Sequence, residues 1–214
     1  DYITLPHPRS KVQSMTPQEL STHVKTLRNV SFAVVDFETT GLNPETDRVI
    51  QLAAVIVNGE GHIVDSFDTI VKPESPAEYQ HGAEHIHGIS AEQVSSGMPL
   101  RKALEQLWSI NAGHVFTAHN AAFDLGFLHA ESKRVGIEGH VDVHVDTLEL
   151  SRRTTGADTA RKHNLFALCE HYGIKRDQVH DARSDATATA QLLIHLIKEL
   201  GVETPDQVAE LFAP

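Results

Sequence analysis

The chain has 214 residues, 40% hydrophobic and 22% charged, which suits one folded domain with a full core. Its longest apolar run, Leu52–Val57, has six residues and is far too short to span a bilayer. The formal net charge of −11 argues against a general nucleic-acid binder, unless bound cations offset carboxylates where phosphate must sit. Arg152, Arg153, Arg161, Lys162, Lys175, Arg176 and Arg183 crowd into the last third and could line such an approach. A solvated surface of mixed charge explains each of them equally well. The single cysteine, Cys169, allows no internal disulfide and reads as a small buried hydrophobe. No charged-then-apolar N-terminal signal is visible, so a cytoplasmic protein is expected.

Residues 1–30 read as an extension, broken early by Pro6 and Pro8. Thr16-Pro17-Gln18-Glu19 is a capping box with proline at the first helical position, predicting a short helix to about Leu27. Phe32-Ala33-Val34-Val35 opens the core pattern as a buried strand. Arg48–Val57 and His62–Val71 are the second and third strands, joined by the hairpin signal Asn58-Gly59-Glu60-Gly61. Ser90-Ala91-Glu92-Gln93 caps a short helix. Pro99 opens a longer one, with Leu100, Leu104, Leu107, Trp108 and Asn111 on one side and Gly113 after it.

His114–Ala118 is a fourth strand. Phe123, Phe127 and Leu128 mark a helix ending at Gly136, and the alternation in Val141–Val145 gives a fifth strand. Leu165, Leu168, Cys169 and Tyr172 share a helix face stopped by Gly173. Ala186, Ala190, Leu193, Ile197 and Leu200 do the same in a final core helix before Gly201. Thr204-Pro205-Asp206-Gln207 opens a tail helix within 201–214. Three strands followed by helices alternating with two more describe a mixed α/β sheet. Its second strand runs antiparallel to both neighbours, because the joining turns are short.

Four acids fall at the ends of these elements. Asp36 and Glu38 close the first strand two residues apart, so their side chains share a face. Two carboxylates on one face repel unless a cation lies between them, and hard divalent ions favour such oxygen ligands. Asp124 stands at the turn from the fourth strand into a helix, and Asp185 at the start of the final core helix. If the first and fourth strands are parallel neighbours, Asp36, Glu38 and Asp124 converge at their carboxyl ends. Each acid alone also suits a turn or a helix start.

Asp36-Phe37-Glu38-Thr39-Thr40-Gly41-Leu42, His119-Asn120-Ala121-Ala122-Phe123-Asp124 and His180-Asp181-Ala182-Arg183-Ser184-Asp185 resemble, in order, the three motifs of the DEDDh 3′→5′ exonucleases. Within that family the likeness is nearest to the proofreading epsilon subunit of bacterial DNA polymerase III. It runs from about residue 31 to residue 200, which would be the exonuclease domain. The resemblance implies a ribonuclease-H-like fold, a five-stranded mixed sheet flanked by helices. It implies two divalent ions, Mg²⁺ or Mn²⁺, held by Asp36, Glu38, Asp124 and Asp185, with His180 as general base. An imidazole is suited to that role because its ordinary titration lies nearest neutral pH. The implied substrate is a single-stranded 3′ end, DNA favoured over RNA, releasing 5′-mononucleotides.

The resemblance also implies terminal-nucleotide contacts from Thr39, Thr40 and His87, and places His119, Asn120 and Phe123 beside the substrate. Phe123 fits the core face with Phe127 better than it fits a stacking role. Around His81 and His85 the chain departs from the epsilon pattern. Two other readings stand beside the DNA exonuclease: an exoribonuclease on small RNAs or RNA tails, and a non-catalytic module attached to a polymerase. The latter fits poorly with five intact site residues. Gln207–Phe212 resembles a sliding-clamp peptide only in part, and an ordinary amphipathic tail helix is preferred.

Overall fold

In the computed structural model, β-branched and aromatic residues dominate the strand Ser31–Thr39 (β2), which pairs on both sides. Residues 3–4, 27–74, 79–155, 160–178 and 180–214 are described; the predicted helix at Thr16–Leu27 lies almost wholly outside them. Val49–Asn58 (β3) runs antiparallel to β2, and Ile63–Lys72 (β4) antiparallel to β3. Val115–Ala118 (β6) lies parallel to β2, and His144–Asp146 (β8) parallel to β6. The expected five strands are therefore present, and the second is antiparallel to both neighbours.

A sixth strand corrects the count. Met98–Pro99 (β5) pairs with Val71–Lys72 at the outer edge, giving the order β5-β4-β3-β2-β6-β8. A separate two-stranded pair joins Ile3–Thr4 (β1) to Ile137–Glu138 (β7). These two-residue strands carry too little pattern to be seen in the sequence.

The sheet sits between two helical layers, and its alternating side chains supply both. Phe32 and Val34 of β2 pack with Ala53, Val55 and Val57 against the helix Ala182–Glu199 (α7). Val35 and Phe37 point the other way, with Leu52 and Ala54, onto Leu100–Asn111 (α3) and Ala121–Arg134 (α4). Every residue of β3 is buried, as a strand covered on both faces must be. Two short helices, Glu84–His87 (α1) and Ala91–Ser95 (α2), precede α3, and α2 carries the predicted capping box from Ser90. All five residues predicted for the inner side of α3 are buried.

Three further corrections come from local geometry. The fifth strand begins at His144, not Val141, because β6 offers only Phe116–Ala118 as partners. Thr147–Thr154 forms a helix (α5) that the apolar pattern did not announce. Leu165–Tyr172 (α6) ends at Gly173 as expected, with φ 67°, but the tail element Pro205–Leu211 is a 3₁₀ helix. Cys169 is buried. Among the described residues, no helix is long and apolar enough to cross a membrane.

Candidate metal centre and active site

The parallel pairing of β2 and β6 brings the end of β2 beside the turn that starts α4. On β2, Phe32 and Val34 face α7, so Asp36 and Glu38 continue that same face toward the first turn of α7, where Asp185 sits. The pairing register slips between Glu38 and Thr39, a bulge at the strand end that falls beside the acids.

The acids feel one another strongly. Burial raises the Asp36 carboxyl well above the usual range, and Asp124, Glu38 and Asp185 raise it further. Burial also raises Asp124, against backbone hydrogen bonds from its own amide and from Phe37. Glu38 is pushed up to about 7, by burial first and then by Asp185 and Asp181. Single ligand atoms of Glu38, His180 and Asp185 all lie within 4.8 Å of one another. Asp124 Oδ1 is buried with no hydrogen-bond partner. An orphaned carboxylate oxygen among mutually repelling acids is a donor set that hard divalent cations fit.

His180 is exposed and adopts a left-handed backbone, φ 58°. Histidine tolerates that region better than bulky residues do, although it still costs energy that neighbours must offset. The adjoining Asp181 is fixed through both of its oxygens. Its Oδ2 caps α7 at Ser184 N (3.0 Å), and its Oδ1 accepts from Gln51 Nε2 (2.9 Å). Gln51 Oε1 in turn accepts from Ala182 N at 3.0 Å.

On the other side, Asp146 fixes the start of α4. Its two oxygens accept from Asn120 N (2.9 Å) and Ala121 N (3.0 Å), and Oδ1 also caps α5 at Leu148 N (2.9 Å). This anchoring replaces a side-chain cap from Asn120, which is exposed with φ 68°. Neither Gln51 nor Asp146 stood out in the sequence. The one available signal was Asp146 directly before an unrecognised helix.

The remaining candidates divide. Thr39 Oγ1 donates to Gly41 O (2.6 Å), and Thr40 Oγ1 accepts from Arg48 N (3.0 Å), so both hydroxyls brace the turn after β2. The segment before α1 closes on this turn: a Cβ at Gly82 would lie 2.6 Å from the Thr40 carbonyl oxygen. His87 is buried. Its Nδ1 accepts from Ile89 N (3.0 Å), which leaves Nε2–H to donate to Gly82 O (2.9 Å). His119 Nε2 donates to His163 O (2.9 Å) and Nδ1 accepts from Thr147 Oγ1 (2.8 Å). Burial holds both imidazoles below their ordinary range, so both are neutral posts in the framework. Phe123 is half-buried, its ring 4.9 Å from that of Phe127 against the second core.

Of the basic residues, Arg176 enters the acid cluster. Its Nε donates to Asp185 Oδ1 at 3.1 Å, and Nη2 binds the same oxygen. Arg183 pairs with Asp68 (3.1 Å), Arg152 with Glu149, and Arg161 with Thr154 (3.3 Å). Arg153 binds the carbonyls of Glu210 (2.7 Å) and Phe212 (3.0 Å).

Residues 33–193 match the family described as RNase_T, exonuclease. The chain is 34% identical over 174 residues to the PolC-type DNA polymerase III of Staphylococcus saprophyticus, covering 81% of this chain and 12% of that protein. It is 36% identical over 170 residues to the Oceanobacillus iheyensis counterpart, covering 79% and 12%. The chain thus spans about one-eighth of the curated relatives it matches. Both of these relatives are PolC-type DNA polymerase III chains. Among solved structures, the nuclease domain of 3′hExo, a DEDDh family member bound to rAMP, aligns with TM-score 0.69 at 16% identity over 86% of this chain and 96% of that one. E. coli exonuclease I in complex with a dT13 oligonucleotide aligns with TM-score 0.68 at 20% identity, over 80% and 42%. At these identities the likeness establishes the shared fold.

Proposed function

We propose, from the premise that this chain belongs to the RNase_T exonuclease family, that it shortens DNA from the 3′ end and releases 5′-mononucleotides. The observation that carries this reading is the convergence of Asp36, Glu38, Asp124 and Asp185 on one buried spot with His180 beside them. Residues 31–200 form the catalytic unit, consistent with the family match over 33–193.

Asp36, Glu38, Asp124 and Asp185 would hold two divalent ions, Mg²⁺ or Mn²⁺. Bound there, the ions supply a water of lowered pKa and neutralise charge on the departing 3′ oxygen. His180 accepts the proton of the attacking water at a ring nitrogen, and its exposure gives that proton a way out to solvent. The turn at Thr39 and Thr40, closed by Gly82, presents backbone groups to the terminal nucleotide. His87, His119 and Asn120 support that surface from behind or beside it, and Phe123 contributes core packing. The likeness to PolC-type polymerases supports a place in replication proofreading, on 3′ ends handed over by a polymerase.

The test is digestion of 5′-end-labelled single-stranded and 3′-mispaired DNA, with matched RNA, in Mg²⁺, Mn²⁺ or EDTA. Stepwise shortening of DNA that chelation abolishes is the expected result. RNA degraded in preference to DNA moves the assignment to an exoribonuclease. Endonucleolytic products, or undiminished activity in EDTA, overturn it.

A further inference from the structure

We propose that Arg176 is the built-in counter-cation of the carboxylate cluster, a competitor that an incoming metal ion must displace from Asp185. The inference rests on the metal-binding reading above. Nε (3.1 Å) and Nη2 of Arg176 both donate to one atom, Asp185 Oδ1. The two side chains are only 8% and 9% exposed, so this is an interior pair and not a charge on the rim. The same guanidinium lowers the carboxyl groups of both Asp36 and Glu38, in opposition to their burial. One side chain thus acts on three of the four acids.

An oxygen whose lone pairs are taken up by two N–H donors is a poorer ligand for a cation, so Arg176 and a metal ion compete for Asp185. The tether suits the exchange. Arg176 lies in the stretch between Gly173, where α6 ends, and Asp181, which caps α7. The described residues of that stretch, 174–178 and 180, belong to no strand or helix, so a movement of the guanidinium there would leave the sheet in place. While it stays, it lessens the repulsion that would otherwise act on the metal-free fold. Arg176 is therefore a positioning residue that trades affinity for metal against stability without it.

The opposite role is also definite: an arginine that orients Asp185 for the metal would make binding weaker when removed. The two are separated by titrating Mn²⁺ into wild type and Arg176→Gln, following free Mn²⁺ by electron paramagnetic resonance, with thermal melts in EDTA and in Mn²⁺. Displacement predicts that Arg176→Gln binds Mn²⁺ about tenfold more tightly. It also predicts a lower melting temperature in EDTA and a larger rise on adding Mn²⁺. Arg176→Lys keeps the charge but loses the two-pronged contact, and should fall between the two. It carries the test if the glutamine variant does not fold without metal. Equal or weaker Mn²⁺ binding in the folded variants overturns the counter-cation role alone. No Mn²⁺ binding by wild type overturns the metal reading as well.

Discussion

Gln51 is tied to Asp181 by a hydrogen bond of 2.9 Å from its side-chain amide. Gln51 also stands directly opposite Glu38 in the β2–β3 register. Its oxygen holds Ala182 N, so a single amide fastens the start of α7 to β3, the strand paired with the one that carries two of the acids. Gln51→Leu removes both bonds and leaves a buried N–H and a carboxylate oxygen unpaired. The expected loss is about 1–3 kcal/mol of stability. Turnover should also fall about tenfold, because His180 and Asp185 flank the freed turn. Urea unfolding and single-turnover digestion check the two effects; a variant as stable and as fast as wild type removes Gln51 from the positioning role.

Asp36→Asn should separate activity from stability. Asp36 is raised by burial and by three neighbouring carboxylates, so neutralising it relieves repulsion in the metal-free fold. At pH 8 in EDTA the melting temperature should rise by about 2–4 °C per kcal/mol relieved. Nuclease activity should fall by at least about 10³-fold, since the proposed metal site would lose a ligand. An unchanged or lower melting temperature would show that Asp36 is not under that strain.

His180→Ala should lower turnover by about 10² while leaving Mn²⁺ affinity within a factor of two or so of wild type, the separation expected of a general base. Rates compared across pH 6–9 decide it. Equal activity throughout that range excludes His180 from proton transfer.

The metal-free protein should lose stability as pH rises. Glu38 is raised from 4.5 to about 7 in the folded chain, so between those values the folded state holds a proton that the unfolded state has released. The corresponding stability is complete below pH 4.5 and is lost as pH passes through about 7. Asp36 and Asp124, also raised, add in the same direction. Thermal melts in EDTA from pH 5 to pH 8 should show falling midpoints, and saturating Mg²⁺ should flatten the slope. A midpoint that rises with pH in EDTA contradicts the electrostatic account.

The sheet and its helices were readable because apolar alternation and helical spacing reflect burial on two faces, as in Phe32–Val35 and Leu100–Asn111. The converging acids were readable because each sits where an element ends. What stayed hidden is held by polar contacts. α5 buries Thr147 and Ser151 alongside Leu150, and satisfies them with hydrogen bonds to His119 Nδ1 (2.8 Å) and Leu148 O (2.7 Å). Such a helix leaves little apolar rhythm to detect. Gln51 lay inside an apolar strand as an unremarked polar residue, and its partner Asp181 is distant in sequence. The nitrogens of His87 and His119 are spent on backbone and hydroxyl groups, which no spacing could reveal.

The bulged strand end that gathers the acids has a counterpart at the far pole of the sheet. There Ser31 stands opposite Asn58, beside the Asn58–His62 turn, about 23 Å along β2 from Glu38 at the usual rise per residue. Probes or tethers attached at exposed Glu60 would hang from the protein's blunt side. A protein immobilised there keeps the acid cluster turned toward solution, and a dye placed there senses tumbling from the end of the sheet remote from those acids.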